Sequence, residues 1–304
     1  MTPRLSVLMT IYNPGRYLAA AVDSVLAQTF PDFELVAVEN GSRDGAKQCM
    51  HSYAKRDARI RLIDLPENIG RTPALNLALQ EARGELVAVL DADDAAAPSR
   101  FARQIEYFDA RGETVLLGSH YRLIDEHGQV TGVERPPCDP HALYDALAYT
   151  NPFAHSTTMF RRNKALSVGG YPAEFRFAQD YALWLLLARI GPLGMLGEAL
   201  VDLRRHPQQL TASPDYAYVR HRESITLFER AQRLPALSPH AMQENRKMRA
   251  NYRYQYARAL IGGRRYRGAA IEFARGLAAA PVYFASKALS KMGRSLRASQ
   301  DSLR

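Results

Sequence analysis

Three aspartates within four positions, Asp91, Asp93 and Asp94, close an unbroken apolar run from Leu86 to Leu90. Carboxylates gathered in one place repel one another, and burial raises the cost of ionising them. A divalent cation with oxygen ligands relieves both costs and can hold phosphate oxygens at the same time. The same residues also fit an acidic turn that caps the following helix, with Pro98 near its first turn, because D-x-D is a short pattern. The run itself, bounded by Gly84 and by the acids, reads as a central strand buried on both faces. Alternation along such a strand turns Asp91 and Asp93 to the same side.

The elements that must carry this group lie on both sides of it. Leu5 to Ile11 is a strand, stopped by Asn13-Pro14-Gly15. Leu18, Val22, Val25 and Leu26 fall at helical spacing within Tyr17 to Gln28. Phe33 to Glu39 is the next strand, followed by a turn over residues 40–45, a helix over about 45–56 and a third strand from Ile60 to Leu65. Thr72 is expected to cap a helix with Pro73 at its first position, running through Glu81. Strand and helix alternate four times, which predicts a mostly parallel sheet with right-handed crossovers. Ligands of such sheets bind beyond the carboxyl ends of the strands, where Tyr12-Asn13, Glu39-Asn40 and Asp91-Ala92-Asp93 would face one cleft. No G-x-G-x-x-G follows the first strand, so a dinucleotide fold is disfavoured.

Beyond Pro98 the pattern is mixed. A helix through Phe108 precedes a strand, Val115 to Ser119, and a hairpin from Tyr121 to Val133 turning at His127-Gly128. Asn151 to Phe160 reads as a loop entering a strand, Asp180 opens an amphipathic helix, and Val201 to Arg205 is a further strand. Past Asp215 nearly everything is helical in character, with a hairpin of Glu244–Leu260 and Tyr266–Ala278 about Gly262-Gly263.

Composition sets the frame. The 304 residues are 47% hydrophobic and 23% charged, ordinary for a globular chain with room for a large α/β domain and a smaller unit. Two distant cysteines, Cys49 and Cys138, do not suggest a disulfide framework. No leader-like start and no apolar run near ~20 residues is visible. A cytoplasmic setting is therefore expected, or a peripheral one at the inner face of the membrane. Residues 215–304 hold 18 Lys and Arg against 6 Asp and Glu, whereas residues 1–214 hold 22 against 25. That asymmetry marks a boundary near Ser213-Pro214, giving a domain of residues 1–213 and a basic extension of residues 214–304. It suggests an anionic partner for the extension, with Lys287, Lys291, Arg294 and Arg297 at helical spacing. No nucleic-acid-binding motif is present in it.

Four blocks in order give the chain a resemblance to family 2 glycosyltransferases of GT-A fold, over about residues 4–212. They are S-V-L-M-T-I-Y-N (6–13), L-V-A-V-E-N-G-S-R-D-G (35–45), N-I-G-R-T-P-A-L-N (68–76) running into A-R-G-E-L-V-A-V-L-D-A-D-D (82–94), and H-S-T-T-M-F-R-R (155–162). The last continues into G-G-Y (169–171), Q-D-Y-A-L-W (179–184) and R-R-H-P (204–207). The resemblance implies a GT-A sheet flanked by helices, with the basic helical extension behind it. It also implies an inverting transfer from a nucleotide-sugar, UDP-linked by the family's habit, to a saccharide or lipid-linked saccharide acceptor in surface polysaccharide synthesis.

The same resemblance assigns roles by position. Tyr12 and Asn13 would line base and ribose, and Glu39 stands where the family usually has an Asp reading the base. Asp91 would touch the ribose, Asp93 would hold Mn²⁺ or Mg²⁺ against the diphosphate, and His206 would add a metal or diphosphate contact; Arg71 is a separate candidate for a phosphate contact. Asp180 matches the general base, a role that can coincide with capping its helix, and Gln179 and Leu186 depart from the family's usual residues. Arg71 pairing only with a carboxylate, His206 as a surface histidine and Trp184 as core are the plainer readings. A sugar nucleotidyltransferase, which would want a Gly-rich phosphate loop after the first strand, and a non-catalytic scaffold are the rivals.

Overall fold

The computed structural model describes residues 2–207, 209 and 216–283. The Ser213-Pro214 junction and Lys287, Lys291, Arg294 and Arg297 lie outside the described residues. The chain separates into two compact units. One is Met1–Ala146 with Asn151–Gln209, and the other is Leu147–Thr150 with the described residues beyond Gln209.

The first unit is a single sheet with helices packed on it. Its strands are β1 (Leu5–Ile11), β2 (Phe33–Asn40), β3 (Ile60–Leu65), β4 (Leu86–Val89), β5 (Ala95–Ala96), β6 (Leu116–Ile124), β7 (Val130–Glu134), β8 (Met159–Arg161) and β9 (Leu193–Arg204). They lie in the order β3-β2-β1-β4-β8-β6-β9-β5, with β7 against β6. β1, β2, β3 and β4 are mutually parallel, and β4 meets β8 antiparallel. Helices α1 (Leu18–Leu26), α2 (Ala46–Arg56) and α3 (Arg71–Glu81) make the crossovers between the parallel strands. Every residue of β2 and β4 is buried, which is why Leu35–Val38 and Leu86–Val89 read as unbroken apolar runs rather than as alternation. A core of Val7, Met9, Leu35, Leu86, Ala88 and Phe101 with their neighbours fills one face. α4 (Arg100–Ala110) closes it, and its Arg100 is fully buried, bonding the carbonyls of Val89 and Thr158 at 2.9 and 3.0 Å.

Several local expectations are corrected. Thr72 does not cap α3. Gly70, with φ +93, turns the chain two residues earlier, and the Thr72 hydroxyl instead donates to the Phe175 carbonyl at 2.7 Å. The strand expected to stop at Ser119 and the hairpin arm expected from Tyr121 are one strand, β6. It runs beside β9 with register shifts around His120 that absorb the irregular pattern. The helix carrying Asp180, α7 (Gln179–Leu187), is not amphipathic: seven of its nine residues are buried. It needs no polar face because it runs through protein on nearly all sides.

The second unit contains α8 (Ala217–Ala231), α9 (Pro239–Gly262) and α10 (Tyr266–Ala279). Ser238 caps α9 by accepting from Ala241 N, with Pro239 at the first helical position. Asn245 ties the segment 147–150 to this unit, donating to the Ala148 carbonyl at 2.6 Å and to that of Phe228 at 2.8 Å. α5 (Pro140–Ala146) and α6 (Arg162–Ser167) complete the first unit. No helix among the described residues is long and apolar enough to cross a membrane.

Candidate active site

The parallel register sets Ile11 opposite Glu39 and Leu8 opposite Val89, so β1, β2 and β4 end along one edge of the sheet. Tyr12, half exposed, and Asn13 follow β1 directly. Asn13 sits at φ 49, a conformation that asparagine tolerates better than most residues, and its Oδ1 accepts from Arg43 N at 2.8 Å. Glu39 is fully buried, and its carboxylate is turned onto the loop behind it, accepting from Gly41 N at 3.3 Å and Ser42 N at 2.7 Å. Asn40 braces the next loop: Ile69 N donates to its Oδ1, and its Nδ2 reaches the Gly70 carbonyl. That brace fixes the start of α3, whose first residue is Arg71.

The three aspartates at the end of β4 have different surroundings. One Arg71 nitrogen lies 2.7 Å from both Asp91 oxygens, and His155 Nδ1 is 3.3 Å from Asp91 Oδ1. Burial pushes the Asp91 carboxyl up, but the charge of Arg71 and the His155 ring bring it well below the usual carboxylate range. Asp94 is buried and gives both oxygens to the protein, one to the Ser156 hydroxyl and the other to Arg204 N at 2.8 Å. Burial, then the charges of Asp93 and Asp91, hold Asp94 well above that range. Asp93 is a quarter exposed and has His206 Nε2 3.1 Å from its Oδ2. The His206 ring is itself wedged against Tyr17, 4.7 Å between centroids. Arg204 reaches the Asp93 carbonyl at 3.0 Å and lies over the Tyr17 ring.

Asp180 is the second residue of α7, not its cap; the cap position is Ala178, without a side-chain bond. Its Oδ2 accepts from Asn151 Nδ2 at 3.1 Å. Its charge reaches the centre of the site. Burial works against the Arg71 guanidinium, yet Asp91, Asp180 and Asp93 together hold it above its ordinary value. Burial raises the Tyr171 phenol well above its ordinary value, and Asp180 and Asp91 add to the effect. Tyr171 OH meets His155 Nε2 at 3.0 Å, so His155 spans from Tyr171 to Asp91. Trp184 is fully buried beside Phe153, His155 and Phe160, and is core.

The eight residues singled out in the sequence therefore fall into three groups. Arg71, Asp91, Asp93 and His206 are linked by direct contacts or through the aspartate cluster. Asp180 joins them through its charge, which acts on Arg71 and Tyr171. Tyr12, Asn13 and Glu39 form the neighbouring edge. Sequence reasoning missed Asn151, Ser156, Tyr171 and Arg204 as partners, although N-P-F-A-H-S and G-G-Y were visible as loops. Oxygens of Asp91, Asp93 and Asp94 can all lie within 4.8 Å of one another. Three carboxylates this close offer hard oxygen donors, and Asp93 keeps part of its surface open, so the group fits a divalent cation.

A parallel nucleotide-type sheet with an aspartate cluster at its carboxyl edge and an antiparallel extension beside it is the GT-A architecture. In fold the chain is similar to S. aureus TarS 1–349 in complex with UDP-GlcNAc, with TM-score 0.67 and 17% identity over 84% of this chain and 79% of that one. It is also similar to the mannosyltransferase PcManGT of Pyrobaculum calidifontis in complex with GDP-Man and Mn²⁺, with TM-score 0.61 and 21% identity over 97% and 81%. The protein belongs to glycosyl transferase family 2, whose profile matches residues 6–170. Over 208 residues, 66% of this chain and 80% of the relative, it is 32% identical to the O-antigen biosynthesis glycosyltransferase WbnJ of Escherichia coli. Membership makes it a glycosyl-transferring enzyme and sets aside the nucleotidyltransferase and scaffold readings.

Proposed function

We propose that the enzyme moves a sugar from a nucleotide-sugar, UDP-linked as first choice, to an acceptor hydroxyl with inversion at the anomeric carbon. The observation that carries this reading is the convergence of two kinds of carboxylate on one network. The aspartate cluster and Asp180 both act on Arg71, and the His155–Tyr171 bridge joins their surroundings. Tyr12 and Asn13 flank the nucleoside, with Glu39 shaping the loop beneath it, and Asp91, fixed by Arg71, meets the ribose. Asp93, with His206 beside it, would hold Mn²⁺ or Mg²⁺, an ion that supplies Lewis-acid stabilisation of the departing diphosphate. Asp180 takes the proton of the acceptor hydroxyl as that oxygen attacks the anomeric carbon. The bond to the diphosphate oxygen breaks on the opposite face. One base and one displacement invert the centre; no carboxylate nucleophile is needed.

The setting we infer is synthesis of a bacterial surface polysaccharide, in line with WbnJ, on a free or lipid-linked saccharide. The basic C-terminal helices suit a peripheral contact with an anionic membrane. Cleavage of a panel of UDP- and GDP-sugars with Mn²⁺, and again after chelation with EDTA, tests the donor side. Strict preference for a GDP-sugar would overturn the UDP assignment, and full activity in EDTA would overturn the cation.

A further inference from the structure

The loop Asn151-Pro152-Phe153-Ala154-His155-Ser156 touches three carboxylates of the site, Asp180, Asp91 and Asp94. Asn151 bonds Asp180, His155 lies against Asp91, and the Ser156 hydroxyl bonds Asp94 while accepting from Asp91 N at 3.1 Å. The loop is itself immobilised: Phe153 is fully buried against Trp184, which belongs to the same helix as Asp180. Asn151 is set by a second bond, since Phe153 N donates to its Oδ1 at 3.2 Å. That bond fixes which end of the amide is which and leaves Nδ2 aimed at Asp180 Oδ2.

From this geometry we infer that Asn151 is a positioning residue for Asp180. It holds one carboxylate oxygen so that the other is presented to the acceptor hydroxyl. The inference rests on the reading of Asp180 as the base. An aspartate early in a helix has freedom at both χ angles, and Ala178 at the cap supplies no side-chain restraint. A single fixed donor removes most of that freedom without blocking both oxygens. Because the same loop also grips Asp91 and Asp94, the separation between base and donor acids is set by six consecutive residues rather than by the packing of distant elements. Arg71 from α3 and Tyr171 from the loop before α7 both feel the charge of Asp180.

Two variants of the full chain test this. Asn151→Ala removes both bonds. Asn151→Asp keeps an acceptor for Phe153 N, so the loop retains its turn, but it replaces the donor to Asp180 with a like charge. Donor turnover is read on the UDP- or GDP-sugar that the wild type cleaves fastest, alongside the affinity for the matching diphosphate and Tm. The expected result is a tenfold or greater fall in kcat for both, with diphosphate affinity within twofold. The acid limb of the kcat–pH profile should also move upward in Asn151→Asp relative to Asn151→Ala, because a neighbouring carboxylate disfavours ionisation of the base. A folded Asn151→Asp with kcat within twofold of wild type overturns the inference. So does a loss shared equally by diphosphate affinity and kcat, or a pH limb that does not move. Should Asn151→Ala fail to fold, Asn151→Asp decides alone, with the wild-type limb as its reference. Asp180→Asn separates the two failures: if that variant stays active the base assignment is wrong, whereas if it is inactive while both Asn151 variants work, only the positioning role falls.

Discussion

Asp93 and Asp94 are adjacent in the chain and are held in opposite ways. Asp94 is committed to the Ser156 hydroxyl and to Arg204 N, whereas Asp93 has only the His206 ring against one oxygen and keeps part of its surface open. Asp93→Ala should therefore abolish Mn²⁺-dependent nucleotide binding with little change in Tm, as calorimetric titration with and without the metal would establish. Undiminished metal dependence in that variant would count against the assignment. Asp94→Ala should act on the fold as well. It strands a buried N–H and a hydroxyl, which costs about 1–3 kcal/mol each, so urea unfolding at neutral pH should register a clear loss of stability. Asp180→Asn keeps the amide near Asn151 and removes the basicity. Transfer should fall by at least about a hundredfold, the usual worth of a positioned base, while diphosphate affinity and Tm stay near wild type.

At the scale of elements, the turn before α7 matters as much as the helix. Gly170 has φ +73, where an added Cβ would lie 2.6 Å from Asn76 Oδ1. That same oxygen accepts from Tyr171 N, and Asn76 Nδ2 donates to the Tyr171 carbonyl, each at 2.8 Å. Asn76 on α3 thus clamps the residue whose hydroxyl meets His155. Gly170→Ala must enter a left-handed conformation at about 1–2 kcal/mol and displace this clamp as well. A Tm lowered by several degrees, together with reduced donor turnover, is the expected outcome of thermal melts and assays; an unchanged Tm would show that the clamp has slack.

For the whole molecule, the informative surface is the outer side of α10. Tyr266, Ile271 and Leu277 are 64%, 45% and 48% exposed, and Ala270, Ala274 and Ala278 are exposed among them. Arg264, Arg265, Arg267 and Arg275 flank the patch, and the lone acid of α10, Glu272, is buried against Arg253. Apolar side chains ringed by arginines match an anionic lipid interface, whereas a second copy of the same face would bring like charges together. Ile271→Asp with Leu277→Asp in the full-length chain should weaken binding to phosphatidylglycerol-containing vesicles at least tenfold, and added salt should weaken binding of the wild type. Sedimentation that recovers variant and wild type equally would refute the surface and shift attention to residues 284–304.

What the sequence by itself determined follows from local rules. Apolar runs ending in polar residues gave the parallel strands, because a strand covered on both faces leaves no other place for charge than its end. The family blocks then led to the expectation that Asp91, Asp93 and Asp180 share one site. The helix expected from Glu244 begins earlier, at Pro239 behind the Ser238 cap, although that signal is confined to neighbouring residues. The partners of the site were decided only by tertiary structure. Asn151 and Asp180 are 29 positions apart, His155 and Asp91 are 64 apart, and Arg204 and Asp94 are 110 apart. No periodicity records such pairs, since each depends on how β8, β9 and α7 are brought against the end of β4. The same packing drew the Thr72 hydroxyl to the Phe175 carbonyl and left Gly70 at the cap of α3. There a bond made by folding outweighed the preference of a residue type for its local position.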